Sequence, residues 1–215
     1  MAPRRTLVVT GTDTDVGKTW VTCRLAEDLR ALGAVVRTVK PLESGCAAGD
    51  AGAHEDGVLL ARAAAQGAPS EALIRLPAPV APPVAADEAG ITLDWDEVVA
   101  RTRAALDGAD VALVEGAGGL LSPLTWERTA VDLAQALDAE ALVVAADRLG
   151  AINHVRLTVG ALERAGVTCA AVVLSEPAEA GIRNAESLAA LSGLPPIFEV
   201  GRDQGTGALG RWILG

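Results

Sequence analysis

"GTDTDVGKT", residues 11–19, is the stretch on which the fold turns. The residues before it, "TLVVT" (6–10), are β-branched and apolar and read as a buried strand. The residues after it, "GKTWVTCRLAEDLRALG" (17–33), read as a helix closed by Gly33. Strand, glycine loop and helix in that order let backbone amides and the positive end of the helix wrap phosphate oxygens. The common form of such a loop is G-x-x-x-x-G-K-[ST], with the lysine on the terminal phosphates and the hydroxyl on Mg²⁺. Here Gly11 lies one residue further upstream and Thr12 stands at the usual first glycine.

Outward from the loop, short β-branched runs alternate with longer Ala/Leu/Arg/Glu stretches, the pattern of a parallel sheet covered by helices. Strands are expected at 34–40, 110–115, 141–147, 168–175 and 195–201, and helices at 55–67, 94–108, 129–138, 153–166 and 181–193, with a short terminal helix. "GAGG" (116–119) reads as a loop. The Pro-rich stretch "LPAPVAPPVAADEAG" (76–90) is expected to form neither regular helix nor central strand, because proline lacks the amide proton. The expected fold class is α/β: a single domain over residues 1–215, P-loop NTPase-like, with a mainly parallel central sheet flanked by helices.

Composition narrows the function. The 215 residues carry a formal charge of −10, with basic residues scattered singly, which argues against nucleic acid or an anionic membrane as partner. Mean hydropathy is +0.32, yet no apolar run approaches the roughly 18 residues of a membrane span. The N-terminal "MAPRRTLVVTG" reads as a buried strand rather than a secretion signal. Cys23, Cys46 and Cys169 have no metal-ligand spacing and read as reduced, structural thiols of a cytoplasmic protein. Small molecules and a second copy of the chain are the expected partners.

In such sheets ligands collect at the carboxyl ends of the strands. "GTDTDVGKT", "KPLESG" (40–45), "EGAGG" (115–119) and "DRLGAINH" (147–154) all fall there. The chain contains sixteen Arg and only two Lys, Lys18 and Lys40. Where Arg would serve, this bias would supply it, so a retained Lys40 points to a need for a compact ammonium. Pro41 biases Lys40 toward an extended conformation, from which its amine is expected to reach the phosphate loop of the neighbouring strand. Glu115 ends an apolar strand, where nucleotide-binding folds place a carboxylate directed at magnesium, or where a turn role would suffice. Spacing makes Asp56 a helix N-cap, His54 a solvated loop residue and Asn153 another cap.

Taken together, "GTDTDVGKT", "KPLESG", "VEGAGG" with "SPL" shortly after, and "LGAINH" resemble the dethiobiotin synthetase family in order and spacing from the first strand to about residue 166. The resemblance implies a ligase that joins CO₂ to 7,8-diaminononanoate with a nucleoside triphosphate and Mg²⁺. It implies a carbamate, then its mixed anhydride with phosphate, then closure of the cyclic urea. It assigns Lys18 to the phosphates, Lys40 to the carbamate and transferring phosphoryl group, and Thr14 and Ser44 to hydrogen bonds there. The nucleotide is implied to lie along Asp13, Thr14, Asp15, Val16, Gly17, Lys18 and Thr19, with Glu115, Gly118 and Ser175. Thr19, Asp56 and Glu115 match the metal positions. Gly118 with Leu149, Gly150, Ile152 and Asn153 is implied to hold the substrate across the interface of a homodimer.

The chain departs from the family pattern near the expected base site, where "LSEP" (174–177) and "FEVG" (198–201) stand. That departure points to a triphosphate user that relies on the phosphate loop more than on the base, ATP being one of several acceptable triphosphates. The alternative from another class is a switch ATPase of the partitioning or septum-site type, which acts on protein partners. Such proteins usually carry a lysine five residues before the loop lysine, where this chain has Asp13.

Overall fold

A computed structural model of the chain describes residues 3–175, 182–201 and 205–215. Six parallel strands form the central sheet in the order β2-β5-β1-β6-β7-β8. These are β1 (Arg5–Gly11), β2 (Val36–Val39), β5 (Val111–Gly119), β6 (Glu140–Ala146), β7 (Cys169–Ser175) and β8 (Ile197–Val200). A separate two-stranded parallel ribbon pairs β3 (Leu42–Ser44) with β4 (Ile74–Leu76). The helices are α1 (Lys18–Ala31), α2 (Asp56–Ala63), α3 (Pro82–Ala89), α4 (Trp95–Ala105), α5 (Ala130–Leu137), α6 (Ala151–Arg164), α7 (Asn184–Ala189) and α8 (Gly207–Leu214).

Period-two alternation along each strand sends side chains to two separate cores, as sheet geometry requires. Val8, Val114, Val143 and Val172 face one layer, closed by Val98 of α4, Leu133 of α5 and Val155 of α6. Leu7, Leu113, Val144 and Val173 face the other, closed by Val21 and Leu25 of α1 and by Leu209 and Ile213 of α8. Both faces of the sheet are therefore dry, and the near-continuous Val/Leu/Ala strands follow from that. Arg5 ties together the amino-terminal ends of the central strands β1 and β6: its guanidinium donates to Glu140 at 2.6 Å and lies 4.9 Å from the Trp212 ring centre of α8.

Several sequence expectations are corrected. The Pro-rich stretch contains α3, because Pro82 and Pro83 occupy its first positions, where no intrahelical amide donor is needed. Gly90 ends that helix in the left-handed region at φ 67°. Residues 116–119 are not a loop but the continuation of β5. The ribbon β3/β4 was not anticipated, since three-residue strands carry no period. Helix α6 begins at Ala151 with Gly150 as N-cap, so Asn153 lies inside the first turn and caps nothing. Helix α7 is shorter than 181–193. Residues 176 and 177 of "LSEP", and residue 181, lie outside the described residues.

The start of α2 is held by close packing. A Cβ on Gly57 would stand 2.1 Å from the Ala72 amide nitrogen and 2.6 Å from the Glu71 carbonyl carbon. Relief requires moving backbone rather than a side-chain tip. Gly57→Ala is expected to destabilise the protein by about 2 kcal/mol in urea denaturation, against the small gain alanine normally brings to a helix. A change below about 0.5 kcal/mol would show that the helix start shifts freely.

Candidate functional site

The carboxyl ends of β1, β2 and β5 surround a cavity of about 830 Å³. Its walls include Thr14, Lys18, Thr19, Lys40, Asp56 and Gly118, and Ser44 also borders it. The loop between β1 and α1 turns through two left-handed residues, Asp15 at φ 54° and Gly17 at φ 85°. A left-handed residue beside right-handed ones aims successive amide groups into one concavity, which suits an anion. Lys18 is buried and its ammonium donates to the Asp13 carbonyl at 3.1 Å. Burial first, and the nearby Lys40 ammonium second, lower its pKa. Two crowded ammonium groups at a helix N-terminus favour a polyanion between them.

Sheet register places Lys40. Val39 pairs with Val114, so the next residue along β2 meets Glu115. The Lys40 ammonium donates to Glu115 at 2.7 Å, to Asp56 at 2.8 Å and to the Gly116 carbonyl at 3.3 Å. Only 4% of Lys40 and none of Glu115 is exposed. Burial opposes the charge on Lys40, but the two carboxylates outweigh it and raise its pKa above the ordinary lysine value. Asp56 is held below its ordinary value: burial pushes its pKa up, and Lys40 more than reverses this. The two carboxylates thus favour the charged form of Lys40. Its neighbour is not the phosphate-loop strand, as the sequence suggested, because β5 lies between β2 and β1.

Glu115 uses one oxygen for Lys40 and for the Thr19 hydroxyl, which donates at 2.8 Å. Its other oxygen, Oε2, is buried and has no hydrogen-bond partner among the described residues. Asp56 is the first residue of α2, not its N-cap; the cap position belongs to Glu55. Ser175 sits beneath the loop, wholly buried, with its hydroxyl donating to the Val16 carbonyl. A Cβ on Gly17 would lie 3.1 Å from that hydroxyl. The Ser175 side chain therefore supports the loop and is not presented to a base, which corrects its direct assignment to the nucleotide.

Other sequence candidates fall outside this cavity. Leu149 is 89% exposed and precedes Gly150, the N-cap of α6, whose first turn carries Ile152 and Asn153. Asp13, Leu121 and Leu157 border a second cavity of about 350 Å³. Sequence reading missed Glu43, which borders the main cavity between Lys40 and Ser44 and is itself buried. It also missed Arg75, whose guanidinium holds Glu55 through two bonds of 2.7 Å. The only available signal was a charged residue at the centre of each short strand, Glu43 between Leu42 and Ser44 and Arg75 between Ile74 and Leu76. The three cysteines are free, and burial pushes the Cys23 and Cys169 thiols up to about 12 and Cys46 to about 11. None is a thiolate nucleophile at neutral pH.

A family model described as an AAA domain matches residues 5–206. The chain is 46% identical over 200 residues to an ATP-dependent dethiobiotin synthetase of Rhodococcus jostii, across 90% of this chain and 85% of that protein. It is 41% identical over 218 residues to one from a Caulobacter species, across 97% and 94%. Among solved structures, hydrogenase maturation factor HypB of Archaeoglobus fulgidus aligns with a TM-score of 0.56 at 15% identity, over 98% of this chain and 89% of that one. The septum site-determining protein MinD of Pyrococcus horikoshii, complexed with Mg-ADP, aligns with a TM-score of 0.54 at 16% identity, over 93% and 82%. At those identities the likeness is one of fold. The sequence relatives carry more weight, and they place the chain in the ATP-dependent dethiobiotin synthetase family, among the ligases of biotin synthesis.

Proposed function

We propose that residues 1–215 act as one catalytic domain that forms the cyclic urea of dethiobiotin from 7,8-diaminononanoate and CO₂. One amine takes up CO₂ as a carbamate. A carbamate oxygen then attacks the γ-phosphorus of a nucleoside triphosphate, releasing the diphosphate. The second amine attacks the activated carbonyl carbon, expelling phosphate and closing the ring. Every species on this path is anionic, so fixed positive charge is the main catalytic device. The observation that carries the reading is Lys40, a buried ammonium at the mouth of the phosphate loop with its pKa raised.

In this reading Lys18 and the amides of the 13–19 loop hold the phosphates. Lys40 faces the carbamate and the transferring phosphoryl group, with the Thr14 and Ser44 hydroxyls alongside. The Thr19 hydroxyl and the Asp56 and Glu115 carboxylates form a set of hard oxygen donors suited to Mg²⁺, and the unpartnered Oε2 of Glu115 supports that assignment. Bound there, Mg²⁺ would neutralise charge on the phosphates. Gly118 and the segment Leu149, Gly150, Ile152 and Asn153 are assigned to the aliphatic substrate, the latter from a second copy of the chain. Exposed Leu121, Leu149 and Leu157 support an apolar contact between copies. A cytoplasmic, reducing setting accords with free thiols and with the absence, among the described residues, of a helix long and apolar enough to cross a membrane.

Ser175 is wholly buried and donates its hydroxyl hydrogen to the Val16 carbonyl, so it offers no side-chain donor to a base. That favours use of several triphosphates. Dethiobiotin measured by mass spectrometry, with ATP, CTP, GTP and UTP supplied separately, is expected with more than one of them. Product with ATP alone would remove the loose base preference, and product with none would remove the ligase reading.

Lys40→Arg preserves charge but not the compact ammonium. Turnover is expected to fall roughly a hundredfold or more with triphosphate binding retained. Near-normal turnover would sink the assigned role. Lys40→Met, unfolded by urea in metal-free buffer, is expected to lose about 3 kcal/mol, because Glu115 has no other ion-pair partner among the described residues. Adding Glu115→Gln should recover most of that loss, and an equal or larger loss in the double variant would contradict the buried-pair account.

A further inference from the structure

Helix α2 begins with an unusual arrangement. Its N-cap residue, Glu55, makes no cap bond to the helix. The Glu55 carboxylate is engaged elsewhere, by Arg75 and by the amides of Ala47 and Gly52, each at 3.0 Å. The first-turn amides of a helix have no intrahelical acceptors and need partners from outside. Glu43 supplies them. One of its oxygens accepts from the Asp56 amide at 2.5 Å and the other from the Gly57 amide at 2.9 Å. Glu43 is 7% exposed and sits on β3, thirteen residues before Asp56.

We infer that Glu43 is a positioning residue for the ligase reaction: by capping α2 from outside, it sets the Asp56 carboxylate against Lys40. The ribbon makes the grip two-handed. Glu43 and Arg75 are register partners on β3 and β4. One holds the amides of residues 56 and 57, and the other holds the Glu55 side chain. The Asp56 backbone is thereby fixed on two sides, and Gly57 is pressed against Glu71 and Ala72 on a third. With its backbone fixed, Asp56 needs only one side-chain rotamer to reach Lys40 at 2.8 Å. A carboxylate suits the task because two oxygens serve two donors and because negative charge is favoured at a helix N-terminus. The catalytic consequence rests on the reading of Asp56 as a metal ligand.

The test uses the full chain with ADP and Mn²⁺ in place of Mg²⁺, metal affinity being read by electron paramagnetic resonance. Amide hydrogen exchange of residues 53–60 is followed in parallel. Glu43→Ala is expected to speed that exchange and to weaken Mn²⁺ binding roughly tenfold or more, while ADP affinity in chelator stays unchanged. Glu43→Gln keeps one acceptor oxygen and is expected to fall between the two proteins on both readouts. Parent-like Mn²⁺ affinity in Glu43→Ala, with Asp56→Asn clearly weakened, would overturn the inference. Where Glu43→Ala does not fold, parent-like exchange and affinity in Glu43→Gln would do the same. Parent-like affinity in Asp56→Asn would instead defeat the metal assignment of Asp56. Glu43 would then be judged on exchange and on kcat in Glu43→Ala, and no change in either would overturn its role.

Discussion

The site depends on one buried ammonium. Lys40 is withdrawn from water, which opposes its charge, and Glu115 and Asp56, closing on it from two other elements, favour that charge. The three groups come from the end of β2, from β5 and from the first turn of α2. Lys40 and Glu115 depend on each other most, since either alone would be a costly buried charge, and Asp56, itself partly exposed, adds a second carboxylate. This mutual dependence locks the relative positions of sheet, helix and phosphate loop. It also holds a cation in the cavity that Lys18 and Thr14 border.

The rest of the architecture serves that placement. Alternating apolar residues dry both faces of the sheet, so strand register is strongly specified. Register in turn brings Lys40 alongside Glu115. The loop after β1 is shaped by the left-handed Asp15 and Gly17 and propped from below by Ser175 at the end of β7. The ends of β1, β5 and β2 therefore build one crevice, at the carboxyl ends where parallel sheets gather their ligands.

Charge is distributed with the same economy. The chain is acidic overall, yet both of its lysines meet in this crevice. Carboxylates that could have competed for them are occupied elsewhere. Glu55 is bound to Arg75, which pulls its pKa down to about 2. Glu43 accepts two backbone amides. Acidic residues near the site thus have separate tasks, set by the donors that surround each one.

The local sequence determined much of this. The glycine loop with Lys18 and Thr19, the strands at β1, β6 and β7, and the scarcity of lysine were legible because propensity, period and motif are short-range properties. Lys40 and Glu115 could be singled out for the same reason, whereas spacing made Asp56 only a helix cap and the family resemblance alone linked it to a metal. What only the tertiary structure decided is who meets whom. The chain does not reveal that β5 lies between β1 and β2, since strand order is set by helix packing over the whole sheet. Nor does it reveal that Ser175 faces the loop, or that Glu43 caps a helix thirteen residues away, because those hydrogen bonds form only after distant segments are packed together. Helix α3 escaped notice for a different reason: proline stops a helix inside it and starts one at its first turn, and position relative to a boundary is settled by what the helix packs against.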